Sequence, residues 1–296
     1  MRKLNNIIRD CKKLIDLPYN KFNLDNYLDI LSKQFGHINL DETPNDLPIK
    51  LMSGNHKNSG IVKNKQKGKI YIIGKGILFD SGGMDLKPRG NMTDMTGDKA
   101  GMIIALFVAD YFKNNVVSYC PISTNFIHTS KIIPGDEYKL GKKIIKVTNT
   151  DAEGRLILAE ALTTLKVTKN DIVITVATLT GCVACAIGKK ATGVLTLNDK
   201  LANQYLEASK KEKELAWRLP IWDYLDKKYY SKKLIENSVK NIKAGTIEGA
   251  LFLKQFAKYP ENWIHLDIAY SAFDKNKKSN GVPIKSLIRF ISLLLK

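Results

Sequence analysis

The stretch Asn149-Thr150-Asp151-Ala152-Glu153-Gly154-Arg155-Leu156 sets two carboxylates and an arginine within five residues, directly ahead of an apolar helical run. Carboxylates held this close repel each other unless a cation lies between them, and a pair of divalent metal ions is the usual one. Asp151 and Glu153 stand two apart, so in an extended loop both side chains point the same way. Arg155, two residues further on, reaches the same cavity. Taken singly, the acids have plainer readings: Asp151 as a helix cap, Glu153 as a first-turn acid favoured by the helix dipole.

Working outward, residues 156–165 read as a helix and residues 143–147 as the strand that feeds the loop. Residues 171–179 form a mostly apolar strand followed by Thr180-Gly181, residues 69–73 read as a buried strand, and residues 116–125 are β-like. The segment 92–112 contains a helix with Ala100, Ile103, Ile104 and Phe107 on one face, and Pro134-Gly135 marks a turn. Residues 3–35 read as two helices broken at Leu17-Pro18-Tyr19-Asn20, the first burying Leu4, Ile7, Ile8, Cys11, Leu14 and Ile15. Residues 36–68 are polar and turn-rich, with 55–60 and 63–68 expected as exposed loops. Strands alternating with helices predict an α/β fold: a mixed, largely parallel central sheet flanked by helices on both faces. A single domain over residues 1–296 is expected, and there are no internal repeats.

Composition narrows the function classes. No apolar run approaches the ~20 residues that cross a bilayer, and the basic N-terminus lacks the apolar core of a secretory signal. A cytoplasmic, reduced chain is the expectation. The four cysteines include Cys182-Val183-Ala184-Cys185, but no second Cys or His pair accompanies them, so packing of small apolar residues at a strand-to-helix turn is the expected role. Formal net charge is +18, with lysines clustered over 63–69, 139–146, 210–213, 227–233 and 275–278. A charge of this size makes nucleic acid a possible partner. Without aromatic interleaving or a nucleic-acid-binding signature, a solvated lysine-rich surface is favoured.

A second acid-bearing segment lies upstream, Gly74-Lys75-Gly76-Ile77-Leu78-Phe79-Asp80-Ser81-Gly82-Gly83, followed by Lys87 and Asp98. Together with the unbroken octapeptide at 149–156, it makes the sequence resemble the cytosolic leucyl aminopeptidases, a family of two-metal exopeptidases, from about residue 8 to residue 294. All seven positions match in order and with matching flanks, which separate accidents do not produce.

The resemblance implies a metal-dependent aminopeptidase with two divalent ions, Zn²⁺ and/or Mn²⁺. Lys75 would bind one ion through its amine, Asp80 would bridge both, Asp98 would complete the lysine-bearing site, Asp151 would bind the other ion and Glu153 would bridge. Lys87 and Arg155 would be the catalytic pair, Lys87 at the oxyanion and Arg155 holding a bicarbonate as general base. Met95, Thr178, Gly181, Ala269 and Ala272 would line the pocket for the substrate's N-terminal side chain, with Ala272 leaving it roomy enough for bulky apolar residues. Peptide substrates and a trimeric or hexameric homo-oligomer are also implied. Members of the family usually carry a further N-terminal domain, so the expectation is a catalytic domain standing alone. The competing expectation is a catalytically weak scaffold that uses its basic surface on nucleic acid, as some bacterial members do. Two departures stand beside the third ligand, Lys99 and Met102, and are expected to perturb metal affinity or order around Asp98.

Overall fold

The computed structural model describes residues 4–64 and 68–296. The chain opens with α1 (Leu4–Ile15) and α2 (Tyr27–Phe35), separated by a 3-10 turn at Tyr19–Lys21, as the Pro18 break predicts. β1 (Ile38–Asp41), α3 (Pro48–Met52) and β2 (Gly60–Asn64) follow, then β3 (Ile70–Gly74) and β4 (Gly76–Asp80). A 3-10 turn at Met95–Lys99 leads into α4 (Ala100–Phe112), followed by β5 (Val116–Asn125), β6 (Glu137–Leu140) and β7 (Lys143–Lys146). After the acidic loop come α5 (Glu153–Thr164), β8 (Ile172–Ala177), α6 (Val183–Ile187), β9 (Thr192–Leu195), α7 (Asp199–Glu212) and β10 (Ala216–Arg218). The chain closes with α8 (Asp223–Tyr229), β11 (Leu234–Glu236), α9 (Gly245–Lys254), β12 (Trp263–Asp267) and α10 (Ile284–Leu294).

Nine of these strands form one sheet in the order β1-β2-β5-β3-β8-β12-β9-β10, with β4 pairing β5 off that path. Its centre is parallel: β3 runs with β5 and β8, and β8 with β12. Antiparallel pairs join β1 to β2, β2 to β5 and β12 to β9. The predicted mixed, largely parallel sheet is therefore the one observed. Alternate strand residues feed two cores. Ile72, Ile174 and Ile264 face the core built with α1, α2, α4, α7 and α10, while Ile73, Val173 and Trp263 face the core built with α3, α5, α8 and α9. Burial on both faces explains why the central strands read as continuous apolar runs. Helix α4 is apolar all round for the same reason, since Ala100 to Ala109 are buried without exception.

The segment 36–68 departs from expectation. Residues 38–41 and 60–64 pair as antiparallel strands, and Ser59 and Gly60 are buried rather than exposed. Their polar residues hid an edge strand, β1, and its neighbour β2, because strands near a sheet edge carry polar residues that a central strand would exclude. Residues 65–67, part of the expected second loop, lie outside the described residues.

Candidate metal centre

The site gathers where the parallel strands end. Lys75 is the single residue between β3 and β4, and its backbone is bonded on both sides: its N–H donates to Val176 O at 3.0 Å and its carbonyl accepts from Met102 N at 2.9 Å. The side chain is buried, and its Nζ lies 2.8 Å from Asp98 Oδ2, 2.7 Å from Glu153 Oε1 and 3.0 Å from Thr178 O. Asp80 closes β4. Its Oδ1 accepts from Gly82 N and Asn125 Nδ2, and its Oδ2 meets Lys87 Nζ at 2.7 Å. Lys87 Nζ also lies 2.5 Å from Asp151 Oδ1. Oxygens of Asp80, Asp151 and Glu153 all fall within 4.8 Å of one another. The structure thus brings all five expected ligands and Lys87 into one network, although helix α5 begins at Glu153, three residues before the expected start. Glu153 is therefore the first helical residue, and only Asp151 is in the loop.

Four carboxylates face two ammonium groups here, so the formal sum is −4 + 2 = −2 before Arg155 is counted. Burial, then the Glu153 and Asp98 charges, push Asp80 up to about 7. Burial with Glu153 and Asp80 pushes Asp151 up to about 6. Asp98 is also raised, chiefly by burial. Glu153 goes the other way: burial raises it, but Lys75 and Lys87 outweigh that and hold it below the ordinary range. Burial works to lower both lysines, yet the surrounding carboxylates keep them strongly cationic. A neutral Lys75 amine therefore requires a stronger cation to take over those carboxylates.

The donor set fits divalent ions. Carboxylate oxygens are hard ligands, they converge with excess negative charge, and the buried Asp98 Oδ2 and Asp151 Oδ1 have ammonium contacts but no directed hydrogen bond. Asp80, Asp98, Asp151, Glu153 and Lys75 are the residues that would hold them.

Several supporting residues were not legible beforehand. Thr150 donates through Oγ1 to Gly82 O and through its N–H to Asp85 Oδ2, tying the acidic loop to the turn after β4. Gly82 has φ +92°, and a Cβ there would approach Asp85 O at 2.4 Å, so only glycine lets that turn close over the carboxylates. Arg155 is buried, and its Nη1 donates to Asn237 O at 2.7 Å and Glu248 Oε1 at 3.1 Å. Asn237 in turn bonds Asn149 O and the Thr148 N–H. Glu248 and Asn237 come from the far side of the chain; the sequence signal was the need of a buried arginine for a carboxylate.

The pocket residues divide. Thr178 touches the centre directly, since its hydroxyl donates to Asp98 Oδ1 at 2.6 Å. Met95 and Ala269 are half-buried, and Gly181 is exposed with the Tyr270 hydroxyl as the nearest group to a Cβ built there. Ala272, expected to line the pocket, is fully buried within the hydrophobic core. Lys99 does not crowd Asp98 as expected. Its amine turns away to donate to Leu17 O and Thr96 O and lies 5.5 Å over the Phe22 ring. Burial lowers it to about 7, against the pull of Asp16 and Asp98. Met102 is also accommodated, because its sulfur occupies the space that a Cβ on Gly76 would fill. Cys182 and Cys185, expected to be packed, are both exposed at the start of α6. Among the described residues no helix is long and apolar enough to cross a membrane.

A solved structure described as "Bottromycin maturation enzyme BotP in complex with Mn" superposes with a TM-score of 0.83 over 98% of this chain and 70% of that one, at 23% identity, and so shares the fold. The chain is 40% identical over 227 residues to a probable cytosol aminopeptidase of Chloroherpeton thalassium, covering 72% of this chain and 43% of the relative. It is 38% identical over 230 residues to one of Colwellia psychrerythraea, covering 75% and 46%. The chain thus spans about half the length of the curated relatives it matches. The catalytic-domain model of the cytosol aminopeptidase family matches residues 48–288, and the chain belongs to that family.

Proposed function

We propose that the chain is a metal-dependent aminopeptidase that removes N-terminal, preferably bulky apolar, residues from peptides. The observation that carries this reading is the convergence of Asp80, Asp151 and Glu153 within 4.8 Å, flanked by Lys75 and Lys87. The hard-oxygen donors, and the Mn bound by the structural neighbour, support two Mn²⁺ or Zn²⁺ ions. Bound there, such ions supply Lewis-acid polarisation of a carbonyl and a strong nucleophile near neutral pH.

The chain's own residues do the rest. Lys87 reaches the centre from the turn after β4 and places positive charge where a carbonyl oxygen would gain negative charge. Arg155, fixed by Glu248 and Asn237 O, is the residue that would hold a bicarbonate as general base. Met95, Thr178, Gly181 and Ala269 line the side-chain pocket, with Ala272 backing it. A cytoplasmic setting and a trimeric or hexameric assembly complete the proposal.

The test is a panel of aminoacyl amides assayed with zinc, manganese and cobalt, alongside Asp80→Ala and Glu153→Ala. We expect turnover to fall by orders of magnitude and bound metal, measured by elemental analysis, to fall with it. Full activity with full metal in either variant rejects the assignment.

A further inference from the structure

The Cys182–Cys185 pair is not used by the proposed chemistry. Both thiols are exposed, and the Cys185 N–H donates to Cys182 O at 3.1 Å, which fixes the two residues in one turn. Glycines bracket the turn: exposed Gly181 before it and Gly188, at φ +77°, after it. The other two cysteines differ in every respect. Cys11 and Cys120 have no exposure, and burial raises both thiols, Cys120 to about 12. Access is one condition of cysteine reactivity, so burial keeps the inner pair inert while the outer pair is open to reagents.

The outer pair also has a mechanical connection. A Cβ built on Gly245 would lie 2.7 Å from Cys182 Sγ, so this side chain rests on the bare backbone that starts α9. The next residue, Thr246, shares a hydrogen bond with Thr180 at 2.8 Å. Two residues further on, Glu248 holds Arg155. Cβ atoms three apart on a helical turn stand about 5–6 Å from each other. A disulfide needs about 3.5–4.5 Å. Closure must therefore tighten the turn, and a Cys182 Sγ that swings toward Cys185 leaves its rest on Gly245.

We propose that Cys182 and Cys185 are a redox-active dithiol that reacts with low-molecular-weight disulfides, and that its closure loosens the start of α9. One thiolate attacks the small disulfide, forming a mixed disulfide and releasing one small thiol. The second thiolate displaces the other small thiol and closes the protein disulfide. The protein loses two hydrogens, and the oxidant is reduced to two thiols.

The experiment treats the folded chain with glutathione disulfide and follows it by mass spectrometry and hydrogen exchange. We expect a loss of two hydrogen masses confined to the tryptic peptide Asn170–Lys189, reversed by a dithiol reductant, with Cys11 and Cys120 reactive only after unfolding. In Cys185→Ser a stable glutathione adduct should accumulate on Cys182 instead. Amides of residues 245–248 should exchange at least about threefold faster in the closed form than in the reduced one. Two stable glutathione adducts on the wild type, or no reaction at all, would overturn the dithiol. A closed disulfide with unchanged exchange at 245–248 would overturn the link to α9.

Discussion

Gly154 shows how tightly single residues are fixed around the centre. It follows Glu153 in α5, and a Cβ there would stand 2.5 Å from Lys75 Cε and 2.7 Å from its Nζ. A lysine tip normally yields cheaply, but this one is held by Asp98, Glu153 and Thr178 O. In Gly154→Ala the amine must leave those partners. We expect at least a tenfold loss of turnover in a folded protein, because misplacing a positioned group by about 1 Å costs about that much or more. Circular dichroism with steady-state kinetics checks it, and wild-type kinetics would show that Lys75 tolerates displacement. Arg155 gives the complementary case. Removing its carboxylate with Glu248→Ala leaves a buried guanidinium without its ionic partner. Breaking such a pair costs about 3–5 kcal/mol, measurable by urea unfolding, and turnover should fall with it.

At the level of elements, α5 ties the centre to its neighbouring helix on the same face of the sheet through Glu160, seven residues after Glu153. Glu160 is buried and its Oε2 accepts from Ile49 N at 2.9 Å, linking α5 to α3. Burial raises it to about 7 against the hydrogen bond from Ile49. Between about 4.5 and 7 the folded chain therefore holds a proton here that the unfolded chain has released. This contribution to stability is complete below the ordinary carboxylate range and is lost as pH rises through 7. In Glu160→Gln the amide oxygen can still accept from Ile49 and no proton is exchanged. The wild-type-minus-variant unfolding free energy should thus fall with rising pH over 4.5–7, at up to about 1.4 kcal/mol per unit. Denaturant titrations at several pH values measure it, and a flat difference rejects the assignment. His265 works with the opposite sign. Burial lowers it to about 3, so its contribution is present above the ordinary imidazole range and is lost as pH falls through 3.

For the whole molecule, the sheet ends at β10 with Leu215 at 61% and Trp217 at 65% exposure, and Trp222 and Tyr224 follow nearby, also exposed. An edge strand carrying large apolar side chains is surface that self-association covers. The proposed trimer should scatter light at about three times the chain mass of 33.2 kDa. A hexamer should fall to such trimers at low salt, because the +18 charge repels like trimers when screening is poor. A monodisperse mass of 33.2 kDa at both low and high salt would reject it.

The sequence by itself determined the parallel centre of the sheet and named the candidate ligands. Apolar runs at 69–73 and 171–179, bounded by turn residues, read as strands buried on both faces, and the resemblance to a known family assigned ligand roles to the acids at 80, 98, 151 and 153. Helix and strand periods are local properties, and so are motif spacings. Tertiary structure alone decided what those residues touch. It brought Glu248 and Asn237 to Arg155 from more than eighty residues away, and bonded Thr150 to Asp85 across 65 positions. It aimed the Lys99 amine at Leu17 O and Thr96 O, and left Cys182 and Cys185 at the surface. Partners of this kind depend on which strand ends lie side by side, and strand order is set by how whole faces bury against each other.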